Sequence, residues 1–166
     1  MTPAVTILKK HKVAYTLHKY QHDQNHHSYG LEAAEKLEIP PDQVFKTLVS
    51  LVDNNELIVA IVPVTGMLNL KQLAKACNAK KSVMAEKSAV EKTTGYVLGG
   101  VSPLGQKKRL KTIIDSSARA LQTIYVSAGR RGLEIELSPL DLAKLTGGSF
   151  FPIAMQDEHH RYIQDL

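Results

Sequence analysis

The stretch FKTLVSLVDNNELIVAIVPV, residues 45–64, decides the fold class. It sets two β-rich apolar runs, FKTLVSLV (45–52) and ELIVAIVPV (56–64), on either side of Asp53-Asn54-Asn55. Val- and Ile-rich runs of this length around a short polar turn predict a hairpin, although the absence of Asn-Gly leaves the turn type open. Strand alternation places Lys46 with Leu48, Ser50 and Val52 on one face, and Phe45, Thr47, Val49 and Leu51 on the other. Both faces are largely apolar, so these strands are central. A lysine at the start of such a run must snorkel, pair or serve a cleft, because an unpaired buried ammonium is costly.

Working outward, TIYVSAG (123–129) and LEIELS (133–138) flank Arg130-Arg131 as a second hairpin, with Gly129 and Gly132 supplying turn freedom. Short strands are expected over 15–19 and 110–114. Thr2-Pro3 opens a helix ending near His11, with Val5 and Leu8 inward. A second helix spans 28–37, with Leu31, Ala34 and Leu37 on one face and Pro40-Pro41 as its stop. The spacing of Leu70, Leu73, Ala74 and Cys77 predicts a helix over 69–77, and 86–92 is a shorter candidate. Ser138, Pro139 and Gly147 mark the two ends of a last helix. Hairpin strands with helices between them argue for one mixed, mainly antiparallel α+β domain, expected over 1–153, followed by a polar tail at 154–166.

A chain of 166 residues suffices for one domain with a real core, and 43% hydrophobic with 22% charged residues is a globular composition. No stretch approaches the roughly 18 apolar residues of a membrane span, and the N-terminus lacks the pattern of a signal peptide. With Cys77 as the single cysteine, a cytoplasmic location and no membrane partner are expected. Lys and Arg number 21 against 16 Asp and Glu, a net +5 gathered at Lys80-Lys81, Lys107 to Lys111 and Arg130-Arg131. That excess favours a polyanionic partner, though a solvated basic surface produces the same count.

The glycines of GYVLGGVSPLGQKKRLK (95–111) fit neither Rossmann nor Walker spacing. They leave either a structural loop or a backbone that a ligand can approach closely. His18, His22, His26 and His27 have no HExxH pattern and only Asp23 nearby, so a solvated loop is expected and no metal site. Cys77, on an apolar helical face, reads as a buried structural thiol. Ser102, Ser116, Ser117 and Ser127 lack the Gly-x-Ser-x-Gly elbow. No nucleophile, and no cofactor, is expected.

FKTLV with Lys46, the GYVLGGVSPLGQKK loop and YVSAGRRGLEIEL, in this order, resemble the YbaK family of trans-editing factors, most closely its bacterial Cys-tRNA(Pro) deacylase branch. The likeness runs from TPAVTILKK to DLAKLTGG and omits the tail after about Ile153. It implies a barrel-like mixed sheet with surrounding helices, and hydrolysis of a mischarged aminoacyl-tRNA ester. Cys-tRNA(Pro) is the leading substrate; the alternatives are another ester such as Ala-tRNA(Pro), or a non-catalytic tRNA- or nucleotide-binding module. The resemblance implies that Lys46 orients the terminal adenosine and the ester carbonyl. Tyr20 and Thr47 would line the pocket, Gly99, Gly100 and Ser102 would present the loop backbone, and Ser127 with Gly129 would form the opposite wall. Lys107, Lys108, Arg109, Lys111, Arg130 and Arg131 are candidates for phosphate steering. The implied partners are mischarged tRNA(Pro) and, in a ternary complex, prolyl-tRNA synthetase. In the implied mechanism the substrate thiol attacks its own ester, which accounts for the missing protein nucleophile.

Overall fold

The 45–64 hairpin forms as its residues predict and sits at the middle of the molecule. The computed structural model describes residues 1–26 and 28–156; His27 and residues 157–166, most of the expected polar tail, lie outside the described residues. Thr2 caps α1 (Pro3–Lys10), its hydroxyl accepting from the Val5 N–H while Ala4, Val5 and Leu8 turn inward. β1 (Thr16–Lys19) and α2 (Tyr29–Leu37) follow. β2 (Phe45–Val52) and β3 (Glu56–Pro63) then pair antiparallel from Phe45↔Pro63 to Val52↔Glu56. β4 (Gly66–Leu68), α3 (Leu70–Ala76), β5 (Ser82–Met84) and α4 (Lys87–Thr94) lead into the glycine loop. After it come β6 (Lys111–Asp115), β7 (Ile124–Arg130), β8 (Leu133–Leu137), α5 (Pro139–Thr146), β9 (Ser149–Phe151) and β10 (Ala154–Gln156).

The large sheet has the order β5-β2-β3-β6-β9, antiparallel through β5, β2 and β3, and parallel from β3 to β6 to β9. A second, antiparallel sheet has the order β1-β8-β7. A parallel bridge between Val44 and Tyr125 joins the two at the start of β2, giving the mixed, barrel-like arrangement. β3 explains why its run is apolar without interruption. Val59 and Ile61 face the main core with Phe45, Ile114, Val126 and Ile135, while Ile58, Ala60 and Val62 face a second cluster with Leu73, Ile113 and Ile153. Each Val, Ile, Leu or Phe among them contributes about 1.5–3 kcal/mol on full burial, so a strand buried on both faces anchors both layers.

Three expectations need correction. α2 buries Glu32, Ala33 and Ala34 and leaves Leu31 exposed, because the Glu32 carboxylate finds donors inside the fold. Cys77 is only half-buried, at the C-cap of α3 beside the second cluster. The ordered fold also passes Ile153: β10 pairs with β4, and the Asp115 carboxylate accepts from the Ile153 and Ala154 N–H groups at 3.0 and 2.9 Å. The polar composition of the C-terminal end conceals that short strand.

Candidate active site

Where the two sheets meet beside the first residues of β2, they enclose a cavity of about 360 Å³. β2 contributes Lys46 and Thr47, β7 contributes Ser127, and β8 contributes Glu134. Phe45, Val49, Val90 and Val101 form apolar walls. Tyr20, the first turn of α2 and Gly99 close the sides, and Arg130 and Arg131 add positive charge. The volume falls in the range of roughly 300–1,000 Å³ usual for small-molecule sites.

Among the groups that line the cavity, Glu134 has a strongly shifted carboxyl, and it has no place among the residues expected from the sequence. It stands opposite Ser127 in the β7–β8 register and opposite His18 in the β1–β8 register. It is only 7% exposed, and its Oε2 has no hydrogen-bond partner among the described residues. Burial pushes its carboxyl up to about 8, since a low-polarity site disfavours the charged form. Burial first, then the nearby Glu134 carboxyl, pushes the Tyr20 phenol up to about 12, so it stays neutral and keeps its O–H as a donor. The buried Thr47 Oγ1 is also unpartnered. Leaving a buried polar group unpaired costs about 1–3 kcal/mol, so these two oxygens mark where the polar groups of a ligand are wanted. In LEIEL, alternation assigns Glu134 to the face opposite Leu133, Ile135 and Leu137, which reads as a solvent face. The signal available was its position across the hairpin from Ser127.

Of the residues singled out from the sequence, Tyr20, Lys46, Thr47, Gly99, Ser127, Arg130 and Arg131 line the cavity. Gly100, Ser102 and Gly129 do not line it. Ser102 is fully buried, its Oγ accepting from the Leu104 N–H at 3.3 Å. Gly129 sits in a β-bulge between Ser127 and Arg130 with φ +115°, and a Cβ there would come 2.6 Å from Tyr96 Cε1. The Gly100 N–H donates to the Val97 carbonyl at 2.9 Å, so it is engaged within its own turn.

The basic run divides. Lys107 and Lys108 donate backbone N–H groups to Thr94 and Thr93 at the end of α4, and Arg109 lies against Gly147 at the end of α5. Lys111 pairs in register with Ile58, whereas Lys46 pairs with Val62. Those partners are four positions apart on β3, roughly 13 Å along the strand. None of these four cations lines the cavity. The histidines also differ from a solvated loop: His18, His22 and His26 face Glu136, Glu32 and Glu35 at 2.9, 2.6 and 3.4 Å.

The site thus joins a mixed α+β domain, two arginines at the mouth of a cavity and a buried carboxyl whose proton is held by burial. The aminoacyl-tRNA editing domain model matches residues 25–145, and the chain belongs to that family. A protein of Enterococcus faecalis named as a candidate Cys-tRNA(Pro)/Cys-tRNA(Cys) deacylase, EbsC, is 38% identical over 156 residues, covering 94% of each chain. A proline–tRNA ligase of Lactobacillus delbrueckii is 24% identical over 108 residues, which are 65% of this chain and 19% of the ligase. The crystal structure of a candidate trans-editing enzyme for prolyl-tRNA synthetase superposes with TM-score 0.80 at 18% identity, over 92% of this chain and 95% of that one. At that identity the superposition speaks for the fold.

Proposed function

We propose that this protein clears mischarged Cys-tRNA(Pro) in trans, cleaving the ester between cysteine and the terminal ribose. The observation that carries the reading is one cavity holding Lys46, the neutral Tyr20 phenol and two unpartnered buried oxygens, on Glu134 and Thr47. An aminoacyl ester supplies what they lack. Its α-ammonium gives donors to Glu134 and Thr47, and its carbonyl accepts from Lys46 or Tyr20. With the Gly100 N–H engaged in its turn, stabilisation of the developing oxyanion falls to those two side chains in this reading.

A substrate-assisted route needs no nucleophile from the protein. The cysteinyl thiol gives up its proton, sulfur bonds to the ester carbonyl carbon, and the bond to the ribose oxygen breaks. The ribose oxygen takes a proton, and the cyclic thiolactone opens with water to give cysteine. Holding thiol and carbonyl together lowers the barrier through prepaid entropy. The mischarged tRNA(Pro) is the partner, in a ternary complex with prolyl-tRNA synthetase, in the cytoplasm where tRNA is charged. Built-in likeness to part of a proline–tRNA ligase supports that pairing. No helix among the described residues is long and apolar enough to cross a membrane.

The test is release of labelled amino acid from separately prepared Cys-tRNA(Pro) and Ala-tRNA(Pro). Fast loss of the cysteinyl ester, abolished in Lys46→Ala, is expected. Equal, Lys46-independent loss of both esters removes the thiol-assisted mechanism. Preference for the alanyl ester reassigns the substrate, and salt-dependent binding without turnover makes the protein a binding module.

A further inference from the structure

The histidine-rich segment contributes a chain of contacts that reaches the mouth of the cavity. Glu32 on α2 is fully buried; its Oε1 accepts from His22 Nδ1 at 2.6 Å and its Oε2 from the Asp23 N–H at 2.7 Å, with Lys36 Nζ at 3.6 Å. Burial opposes ionisation, but the Asp23 N–H, His22 and Lys36 outweigh it and hold the carboxyl below its ordinary range. An ionised carboxylate only accepts, so Nδ1 carries the proton, and in the neutral imidazole Nε2 is left as an acceptor. That nitrogen lies 3.5 Å from Arg131 Nη1.

Arg131 is held on two further sides. Its guanidinium lies over the Tyr29 ring, 3.7 Å from the centroid, and the His22 ring meets the same tyrosine edge-on at 5.8 Å. Gly99 packs beside both, since a Cβ there would come 2.7 Å from Tyr29 Cε2 and 2.8 Å from Arg131 Nε. No carboxylate forms an ion pair with Arg131 among the described residues. A guanidinium seated on an aromatic ring, with its charge uncompensated and N–H donors to spare, is preorganised for a phosphate.

We propose that Glu32 and His22 are positioning residues for Arg131, holding its guanidinium on Tyr29 so that its remaining donors meet a phosphodiester of the 3′-terminal nucleotides as the ester enters the cavity. The inference rests on the deacylase reading for its ligand. Glu32 fixes the tautomer of His22, His22 accepts from Arg131, and Arg131 reaches the anion. Part of the ordering cost of the arginine is thereby met before tRNA arrives.

The test uses kinetics on Cys-tRNA(Pro), together with fluorescence-anisotropy Kd values for tRNA carrying a non-hydrolysable 3′-cysteinylamide. His22→Asn keeps a donor near the Nδ1 position and deletes Nε2. It should raise KM and Kd about three- to tenfold, and raise KM by a larger factor than it lowers kcat. The double variant with Arg131→Ala should bind no worse than Arg131→Ala alone, the mark of residues acting through one contact. His22→Gln, which offers an acceptor near the Nε2 position, should bind within about threefold of wild type, and this comparison with wild type stands even if the Asn variant folds poorly. Unchanged KM and Kd in His22→Asn, or losses that simply add in the double variant, would overturn the positioning role. Wild-type protein that leaves Cys-tRNA(Pro) intact would overturn the deacylase reading instead, and the Kd series would still decide the role of His22.

Discussion

Replacing Glu134 with glutamine should make the protein more stable, and increasingly so as the pH rises. The folded carboxyl sits at about 8 against an ordinary value of 4.5, with burial as the cause. Below about 4.5 both folded and unfolded states hold the proton, and the site imposes no penalty. Between that value and about 8 the unfolded chain releases its proton while the folded chain keeps it, so stability falls as pH rises. Above about 8 the folded carboxylate is charged and buried, and the penalty is complete. At roughly 1.4 kcal/mol per pH unit the full gap is worth about 5 kcal/mol, and by pH 6 about 2 kcal/mol is already lost. The Glu134→Gln variant cannot ionise there and avoids this loss. Urea unfolding of both proteins, followed by circular dichroism at pH 5, 6, 7 and 8.5, gives the difference free energy. It should grow from under about 1 kcal/mol at pH 5 to several at pH 8.5. Other titrations common to both proteins cancel in that difference. A flat difference, or one favouring the wild type as pH rises, would refute the buried neutral carboxyl.

Two further outcomes follow from the same geometry. If an α-ammonium pairs with Glu134, binding of adenosine 3′-cysteinylamide at pH 7 should release close to one proton, read by titration calorimetry in two buffers of different ionisation enthalpy; no buffer dependence would argue against that pairing. Asp115→Ala should cost about 3 kcal/mol by thermal or urea unfolding, because it strips acceptors from the Ile153, Ala154 and Ser117 N–H groups.

The hairpins, the capped helices and the class of fold were legible because they rest on local physics: alternation, turn residues, and Ser or Thr ahead of Pro. Lys46 stood out for the same reason, as a cation in an otherwise apolar run. What escaped is what depends on distant partners. α2 turns a glutamate inward because His22 and the Asp23 N–H meet it there, and no helical periodicity encodes that. Alternation alone puts Glu134 on the polar side of its strand, and only the approach of the other sheet makes that side a cavity wall. The Lys107–Lys111 run looked like one basic feature, yet its backbone winds from the end of α4 past α5 to the far end of β3. Proximity in sequence kept those cations together; the fold distributes them.

The pocket chemistry also bears on why size is not the filter in the proposed reaction. Cysteine and proline are similar in size, and an apolar pocket separates ligands by only about 1–3 kcal/mol per methylene. Phe45, Val49, Val90 and Val101 supply such walls and no more. In the proposed reading the unpartnered Glu134 and Thr47 oxygens add acceptors for the α-amino group, which would fix the aminoacyl group at a point away from the ester oxygen. A primary ammonium on an open chain can satisfy both oxygens and still leave its side chain free to turn toward the carbonyl. The ring nitrogen of a prolyl ester ties the side chain to the amine and brings no thiol, so correct Pro-tRNA(Pro) occupying the same cavity has nothing with which to attack. Under the proposed mechanism selectivity would lie in the reacting group, and the protein's task would reduce to holding an ammonium, a carbonyl and a phosphate at three fixed points.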